Sequence, residues 1–457
     1  MKKITAIALL IALNITPVFA AESMPKQFKS MAAKSKLSDD YKYAYVNMNW
    51  WDNFNDDILN NYIEKAVLNN YDLKMAAISV DEYYQNVRLQ FSHELPNANI
   101  GLTSAYTKLP AMLGGEKEWQ FIAPAMASYE VDLFLKNRDK TKSVKKLYEA
   151  SKFDERAAYI SVASAVGTTY LNIVKLDKII NIQEEIVASR KTIYDLMLMR
   201  NIEGITSTAD TVRANKAYMA GTSDLLELKK QREKLLNQLA VLIGESPENS
   251  SELVRADLDK ISYNTKMPEQ IPSEVIVQRP DYLRAEKMVE KAGIDVRVAR
   301  KDFLPTINLN GIALFNSGNF GSLLTTSNAL AALAGGLTLP LFTGGARIAN
   351  LKLKKDQYER ILQDYYKTNI TAIQEVNDAM SAIRLDEEKM SLTVKQANLE
   401  ARDYKFNESR YNQGVISKLD LIQQKENLLV MNKLLANQKT ECLVDYIGLY
   451  KATGTKL

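Results

Sequence analysis

A single cysteine, Cys442, and a single histidine, His93, are all that 457 residues contain of the two side chains on which disulfides and most metal sites are built. One thiol closes no intramolecular disulfide. One imidazole beside Glu94, with no second His or Cys to join it, is read as a surface or packed histidine and not as a metal ligand. Charge of one sign is also scarce: the net value is +4, too small a bias for a protein that binds nucleic acid by neutralising phosphates. No P-loop, dinucleotide fingerprint, nucleophile elbow or zinc-protease helix is present, and the glycine pairs in AGGL and TGGAR flank a strand instead of cradling a phosphate. These absences exclude the common enzymes, and they call for no cofactor and no metal. Fifteen methionines are read as helix-packing material, not as a soft-metal lining.

Proline is the most instructive scarcity. None lies between Pro124 and Pro247 and none follows Pro340, while Ala, Leu, Lys, Glu and Gln dominate both stretches, as long helices require. From about Asn137 to Arg200 a helix of roughly 60 residues extends about 90 Å. Ile179, Ile182, Ile186 and Ile193 recur at spacings of three, four and seven, which supplies a stripe for a neighbouring helix in coiled-coil fashion.

The two helical stretches correspond. Asp72 and Asp281, Pro96 and Pro305, and Leu176-Asp177 and Leu385-Asp386 stand 209 residues apart; Gly204 and Gly414, then Gly244 and Gly454, stand 210 apart. Five matches in order predict an internal duplication. Gly204 in MRNIEGITSTAD and Gly414 in SRYNQGVISKLD suit the left-handed position that ends a helix. Ser207-x-x-Asp210 and Ser417-x-x-Asp420 carry the signature of a new helix start. Each half is therefore expected to contain a long helix, a tight turn and a returning helix of about 35 residues.

Between a shorter helix (about Leu59 to Phe91, and Val275 to Lys301) and the long one, the period changes to two. In WQFIAPAMASYEVDL, Trp119, Phe121, Ala123, Ala125, Ala127, Tyr129, Val131 and Leu133 share one face. Gln120, Ser128, Glu130 and Asp132 share the other, with Ile122 and Met126 as exceptions. NANIGLTSAYT, the segment from Ile307 to Phe315, and Leu337, Leu339 and Leu341 alternate similarly, giving four strands. Lys2 and Lys3, an apolar run from Ile4 to Leu13 and VFA before Ala21 form an expected signal peptide. Strands of this length, aliphatic with aromatic ends, in a secreted chain mark a membrane β-barrel. Four strands cannot close one and an open edge in lipid is too costly, so several chains are expected to share it. The loops KLPAMLGGEKE and NSGNFGSLLTTSN are expected outside the cell.

WWDNFNDDILNNYIEKAVLNNYDL, VIVQRPDYLRAE, DFLPTINLNG, LTLPLFTGGARIANL and RYNQGVISKLDLIQQKENLL resemble the outer membrane factor family, the TolC-like exit ducts, from about Trp50 to Gly454. The phrases Arg279-Pro280-Asp281 and Leu339-Pro340-Leu341-Phe342 are more similar to the branch serving resistance-nodulation-division pumps than to the secretion branch. The resemblance implies a mainly α protein with a membrane β-barrel. Its homotrimer has four strands per protomer in one shared barrel, and its long periplasmic hairpins form a tunnel. It also implies partners: outer membrane lipid, a periplasmic adaptor (membrane fusion) protein and an inner-membrane pump. Ala21 stands where that branch commonly has a lipid-modified cysteine, so anchoring would rest on the barrel.

The division of the chain is then a signal peptide 1–20, an N-terminal periplasmic segment 21–58, a short helix 59–95, a strand pair 96–134, a hairpin 135–244 and an equatorial connector 245–274. The second half follows as a short helix 275–304, a strand pair 305–342 and a hairpin with the C-terminus 343–457. Arg200, Gly204, Asp210, Arg410, Tyr411, Gly414 and Asp420 are the candidates for the periplasmic tip and gate; the two aspartates also have a plain capping role. Tyr106, Trp119, Phe121, Tyr129, Phe315 and Phe342 are candidates for the interfacial aromatic girdles. The function this implies is passive conduction of small toxic compounds out of the cell. The alternatives are an exit duct for a secreted polypeptide and, in another class, a soluble periplasmic coiled-coil adaptor.

Overall fold

The computed structural model describes residues 50–108, 117–264, 271 and 273–454. The expected signal peptide, most of the 21–58 segment and most of the KLPAMLGGEKE loop lie outside the described residues. A 3-10 turn, Trp50–Phe54, leads into α1 (Asp57–Asn69) and α2 (Tyr71–Ser92). Three strand segments follow, β1 (Asn97–Ile100), β2 (Thr103–Lys108) and β3 (Lys117–Val131), and then α3 (Lys136–Ile202) and α4 (Thr208–Leu242). The second half runs α5 (Ser273–Ile276), α6 (Pro280–Lys301), β4 (Thr306–Ser317), β5 (Ala329–Thr338), α7 (Ala346–Asn412) and α8 (Lys418–Thr453).

The repeat of landmarks is a repeat of elements. α2 and α6 both have 22 residues and start 209 apart, and α3 and α7 both have 67 and start 210 apart. At 1.5 Å per residue each long helix is about 100 Å. Ile179, Ile182 and Ile186 of the expected stripe are buried, and Ile182 and Ile186 meet Leu429 of α8. α3 also contains one window apolar enough to cross a bilayer by length and composition, and 67% of it is buried in protein.

Contrary to the continuous helices that periodicity predicts over about residues 59–91 and 275–301, both shorter helices are interrupted. Asn70 separates α1 from α2: its side chain accepts from the Asp72 and Leu73 backbone N–H groups and donates through Nδ2 to the Leu242 carbonyl at 2.8 Å. At the matching place in the second half, Arg279 precedes Pro280 and donates to the Ala452 carbonyl. Each helix break thus hands a side-chain donor to the frayed end of the returning helix, whose last carbonyls have no partner of their own. Arg279 is 6% exposed and also pairs with Glu375 at 2.6 Å and Asp281 at 2.7 Å.

Both ends of the returning helices meet these breaks at a glycine. Gly244 has φ +76°, and a Cβ there would lie 2.6 Å from the Asn69 carbonyl oxygen, so only glycine fits. Around the first junction sits the deepest core. Trp50, Phe54, Leu59, Ile63, Tyr170, Leu171, Leu239, Ile243 and Tyr450 are at most 1% exposed. Trp50 stacks on Tyr450, and Tyr170 donates to Asp56 while accepting from the Ala256 backbone. The N-terminal turn, the connector and the C-terminal helix are therefore fastened together across the middle of the protomer.

The strands form one antiparallel sheet in the order β1/β2, β3, β4, β5. The first expected strand is split because Gly101 faces Pro124: the Gly101 N–H reaches the Pro124 carbonyl at 2.8 Å, but proline returns no N–H. The last strand differs from expectation too. It ends at Thr338, so only Leu337 of the three named leucines belongs to it, and it reaches back to Ala329. Pro340 and the turn at Gly344 and Gly345, both at positive φ, break it before α7. Leu133 likewise falls beyond β3.

Candidate functional site

Two regions hold the residues singled out in the sequence: the helical turns at one end of the hairpins and the sheet at the other. At the turns, Gly204 and Gly414 have φ +74° and +75°. The next residue's N–H closes back onto the carbonyl four residues before the glycine, Ile205 to Arg200 and Val415 to Arg410, each at 2.8 Å. This is the six-to-one bond of a glycine-terminated helix. Ser207 and Ser417 then cap the returning helices by accepting from the Asp210 and Asp420 N–H groups at 3.2 Å. Only the second turn completes a reciprocal box, with the Ser417 N–H donating to Asp420 at 3.1 Å.

The side chains are disposed differently at the two turns. Asp210 is half-buried and pairs with Arg213 at 3.2 Å. Asp420 is exposed, and the Ser417 hydroxyl and N–H hold its carboxyl below the usual range. Arg410 lies over the Phe406 ring at 5.7 Å and, like Arg200, has no carboxylate partner among the described residues of its own protomer. Tyr411 is half-buried beside it, whereas Ile205 and Val415 stand exposed at the apex.

Along α3, 14 to 21 residues before Gly204, lies a polar cluster that periodicity does not single out. Arg190 of α3 binds Glu426 of α8 at 2.5 Å and the Ala217 carbonyl of α4 at 3.2 Å. Gln183, 2% exposed, donates to the Gly221 carbonyl at 2.8 Å and accepts from Lys433 at 2.6 Å. Burial lowers the Lys433 pKa. These contacts clamp the first hairpin to the second. The signal was present: Arg190 follows Ile186 by four and so puts a cation on the apolar stripe.

At the sheet, register brings the expected faces together. Ala98 lies opposite Ala127, Tyr106 opposite Trp119, Tyr129 opposite Leu309, Phe315 opposite Ala123 and Ile307 opposite Leu337. Directly opposed residues share a face, so one face collects these aliphatic and aromatic side chains. The other collects Asn97, Asn99, Gln120, Glu130, Asn308 and Asn310. Tyr106 packs on Trp119 at 5.3 Å, and Phe121 on Phe320 at 5.6 Å, near the strand turns. Tyr129 is near the helix end, as is Phe342, which is 89% exposed beyond β5. Among the described residues β5 pairs only with β4, and β1 and β2 pair only with β3. Both edges of an apolar-faced sheet are therefore open.

Long helical hairpins joined to a two-faced sheet define a channel-forming protein of the outer membrane. The profile of the family described as outer membrane efflux protein matches residues 62–245 and again 271–455. The chain belongs to the outer membrane efflux protein family, whose members are channels and not enzymes. It resides in the outer membrane of a Gram-negative bacterium with a large periplasmic helical part.

Relatives agree. The chain is 26% identical to the probable efflux pump outer membrane protein TtgC of Pseudomonas putida, over 90% of this chain and 86% of that one. It is 24% identical to the cation efflux system protein CusC of Escherichia coli, over 95% and 93%. The solved outer membrane channel CmeC of Campylobacter jejuni superposes with a TM-score of 0.80 at 26% identity, covering 90% of this chain and 88% of that one. The channel OprN superposes at 0.78 and 20%, covering 92% and 95%.

Proposed function

We propose that three copies of this internally duplicated chain form one passive exit duct of a tripartite efflux system. An inner-membrane resistance-nodulation-division pump and a periplasmic adaptor would deliver small toxic compounds to it. The observation that carries the reading is the sheet: an aligned apolar face with two unpaired edges is unaffordable in lipid unless each edge meets another copy. Pairing β5 of one protomer with β1 and β2 of the next satisfies every edge and gives a barrel with lipid outside and the asparagine-rich face within. From Trp119 to Tyr129 is about 33 Å along a strand, or about 25 Å of height at a 40° tilt, which matches the apolar band of such barrels. Tyr106, Trp119, Phe121 and Phe315 would form the outer girdle, and Tyr129 and Phe342 the inner one.

In this reading 59–95 and 275–304 are the short, interrupted helical segments, 96–134 and 305–342 the barrel segments, 135–244 and 343–457 the tunnel hairpins, and 245–274 the equatorial connector. The turns at Gly204 and Gly414 are the periplasmic tips. There Arg410, without a carboxylate partner among the described residues of its own protomer, reaches an acid of a neighbour and holds the duct shut, while Ile205 and Val415 meet the adaptor. A paired-cysteine scan tests the shared barrel. With Cys442 replaced by serine, one cysteine at Leu333 is combined with single cysteines from Thr103 to Tyr106 and oxidised. A ladder ending at covalent trimer is expected for at least one pair. Monomer alone across the scan contradicts the shared barrel.

A further inference from the structure

Just below the sheet the chain concentrates positive charge. Residues 136–146, at the start of α3, hold six cations and one acid. Residues 297–302, at the end of α6, hold three and one, and residues 346–355, at the start of α7, hold four and none. The surplus of eleven exceeds the +4 of the whole chain, so the remainder is acidic.

Local structure does not account for it. Cations at helix N-termini oppose the helix dipole, and the N–H groups that open α3 are met by the Asp132 carboxylate, which accepts from Lys136 at 2.6 Å and Arg138 at 2.9 Å. Ion pairing accounts for only part. Lys136, Lys142, Arg297 and Lys301 bind Asp302 or Asp139. Arg138, Lys145, Arg300, Lys352 and Lys355 are exposed and have no carboxylate within 4 Å among the described residues. The pattern is also repeated: Lys142 and Lys352, and Lys145 and Lys355, stand 210 apart, and Arg88 and Arg297 stand 209 apart.

A groove of about 260 Å³ lies within this region, between α2, α3, α6 and α7. Lys140, Lys291, Lys354, Asn350, Asp295 and Asp302 are among its lining, and its two carboxylates are already engaged, Asp295 by Lys291 at 2.7 Å and Asp302 by Lys136 at 3.5 Å. Among the described residues Lys140 and Lys354 have no carboxylate within 4 Å, and Lys354 donates to Gln357 at 3.1 Å.

We infer that these segments form a basic collar that docks on the anionic phospholipid headgroups of the periplasmic leaflet, with the groove between Lys140 and Lys354 receiving a headgroup phosphate. The inference rests on the duct reading, because a sheet that crosses the bilayer carries the collar to the headgroup plane: Lys136 follows the end of β3 by five residues and Arg300 precedes β4 by six. Charge complementarity selects the occupant, since basic side chains at a membrane surface attract anionic lipid. The collar would fix the depth of the barrel and orient it against tilt.

The test uses the full protein in bilayers of phosphatidylcholine doped with spin-labelled phosphatidylglycerol or spin-labelled phosphatidylcholine, and the quadruple variant Lys140→Gln, Lys145→Gln, Lys354→Gln, Lys355→Gln. None of the four lysines pairs with an acid of α6, so the helix junction is kept. A lysine-to-arginine quadruple variant controls for charge. The natural protein and the arginine variant are expected to hold phosphatidylglycerol about threefold over phosphatidylcholine, falling to about parity in the glutamine variant and in high salt. Equal selectivity in all three overturns the collar. A changed reversal potential of the glutamine variant across a salt gradient, with its lipid selectivity intact, puts the lysines in the tunnel and also overturns it. In both cases the natural protein still conducts; if it does not, the duct reading itself has failed.

Discussion

Asp177 and Asp386 occupy corresponding places in the two halves and have opposite company. Asp177 is held by Arg232 at 3.2 Å and Arg255 at 2.7 Å. Where the second half should have the counterpart of Arg232, 210 residues on, it has Cys442, and Asp386 faces Asp445. Burial, then the hydrogen bond with Asp386, push the Asp445 carboxyl up to about 7. Glu441 adds to this while Lys389 offsets it. A carboxyl whose folded pKa is raised carries no penalty below about pH 4, a growing one as pH rises, and the full one above about pH 7. Asp445→Asn removes it. The variant is expected to be more stable than the natural protein by roughly 1 kcal/mol at pH 8, after allowing for partial exposure, and equally stable at pH 4, as read by thermal unfolding in detergent.

Arg279 makes the complementary case. Arg279→Ala leaves Glu375, Asp281 and the Ala452 carbonyl without their shared donor and is expected to cost about 2–3 kcal/mol, since the two acids remain partly hydrated. Arg279→Lys should recover less than half, because an ammonium lacks the planar fork that reaches all three. Equal stability of either variant and the natural protein would contradict the fastening role.

Among the elements, the two glycine turns test two different constraints. Gly414→Ala meets nothing within 4 Å and pays only for positive φ, about 1 kcal/mol. Gly244→Ala meets both positive φ and the Asn69 backbone at 2.6 Å and is expected to cost at least twice as much. Denaturation of the two variants side by side checks the order. If the proposed gate lies at this turn, Arg410→Ala with Asp420→Ala should raise the leak of small ions several-fold, because charge-assisted contacts between neighbouring copies would be lost. An unchanged conductance of the double variant counts against a gate there.

The hairpins were legible in the sequence because three local signals agree at each turn: the end of an apolar stripe, a glycine, and a Ser-x-x-Asp start. The helix breaks at Asn70 and Arg279 were not. Each has a local cause that periodicity does not register, the Asn70 side chain capping α2 and Pro280 disfavouring helix at the residue before it. The Leu242 and Ala452 carbonyls that fix the two side chains lie about 170 residues away. β5 was misjudged because ALAALAGG lacks alternation and takes its register from β4. The Arg190–Glu426 clamp depends on the meeting of α3 and α8, a tertiary fact.

For the whole molecule, the family profile matches once in each half, beginning 209 and ending 210 residues apart, which is the spacing of the elements themselves. A sheet with two open edges is too costly in lipid alone, and the proposed trimer is expected to survive extraction in mild detergent as a single species. The most direct test of the central claim, a barrel closed by several copies and continued by a helical tunnel, is single-channel current across a planar bilayer at neutral pH. Small, discrete, long-lived conductance steps are predicted, because a narrow tunnel limits what a wide barrel admits. A folded protein that never inserts, or that inserts without any conductance, would contradict the duct.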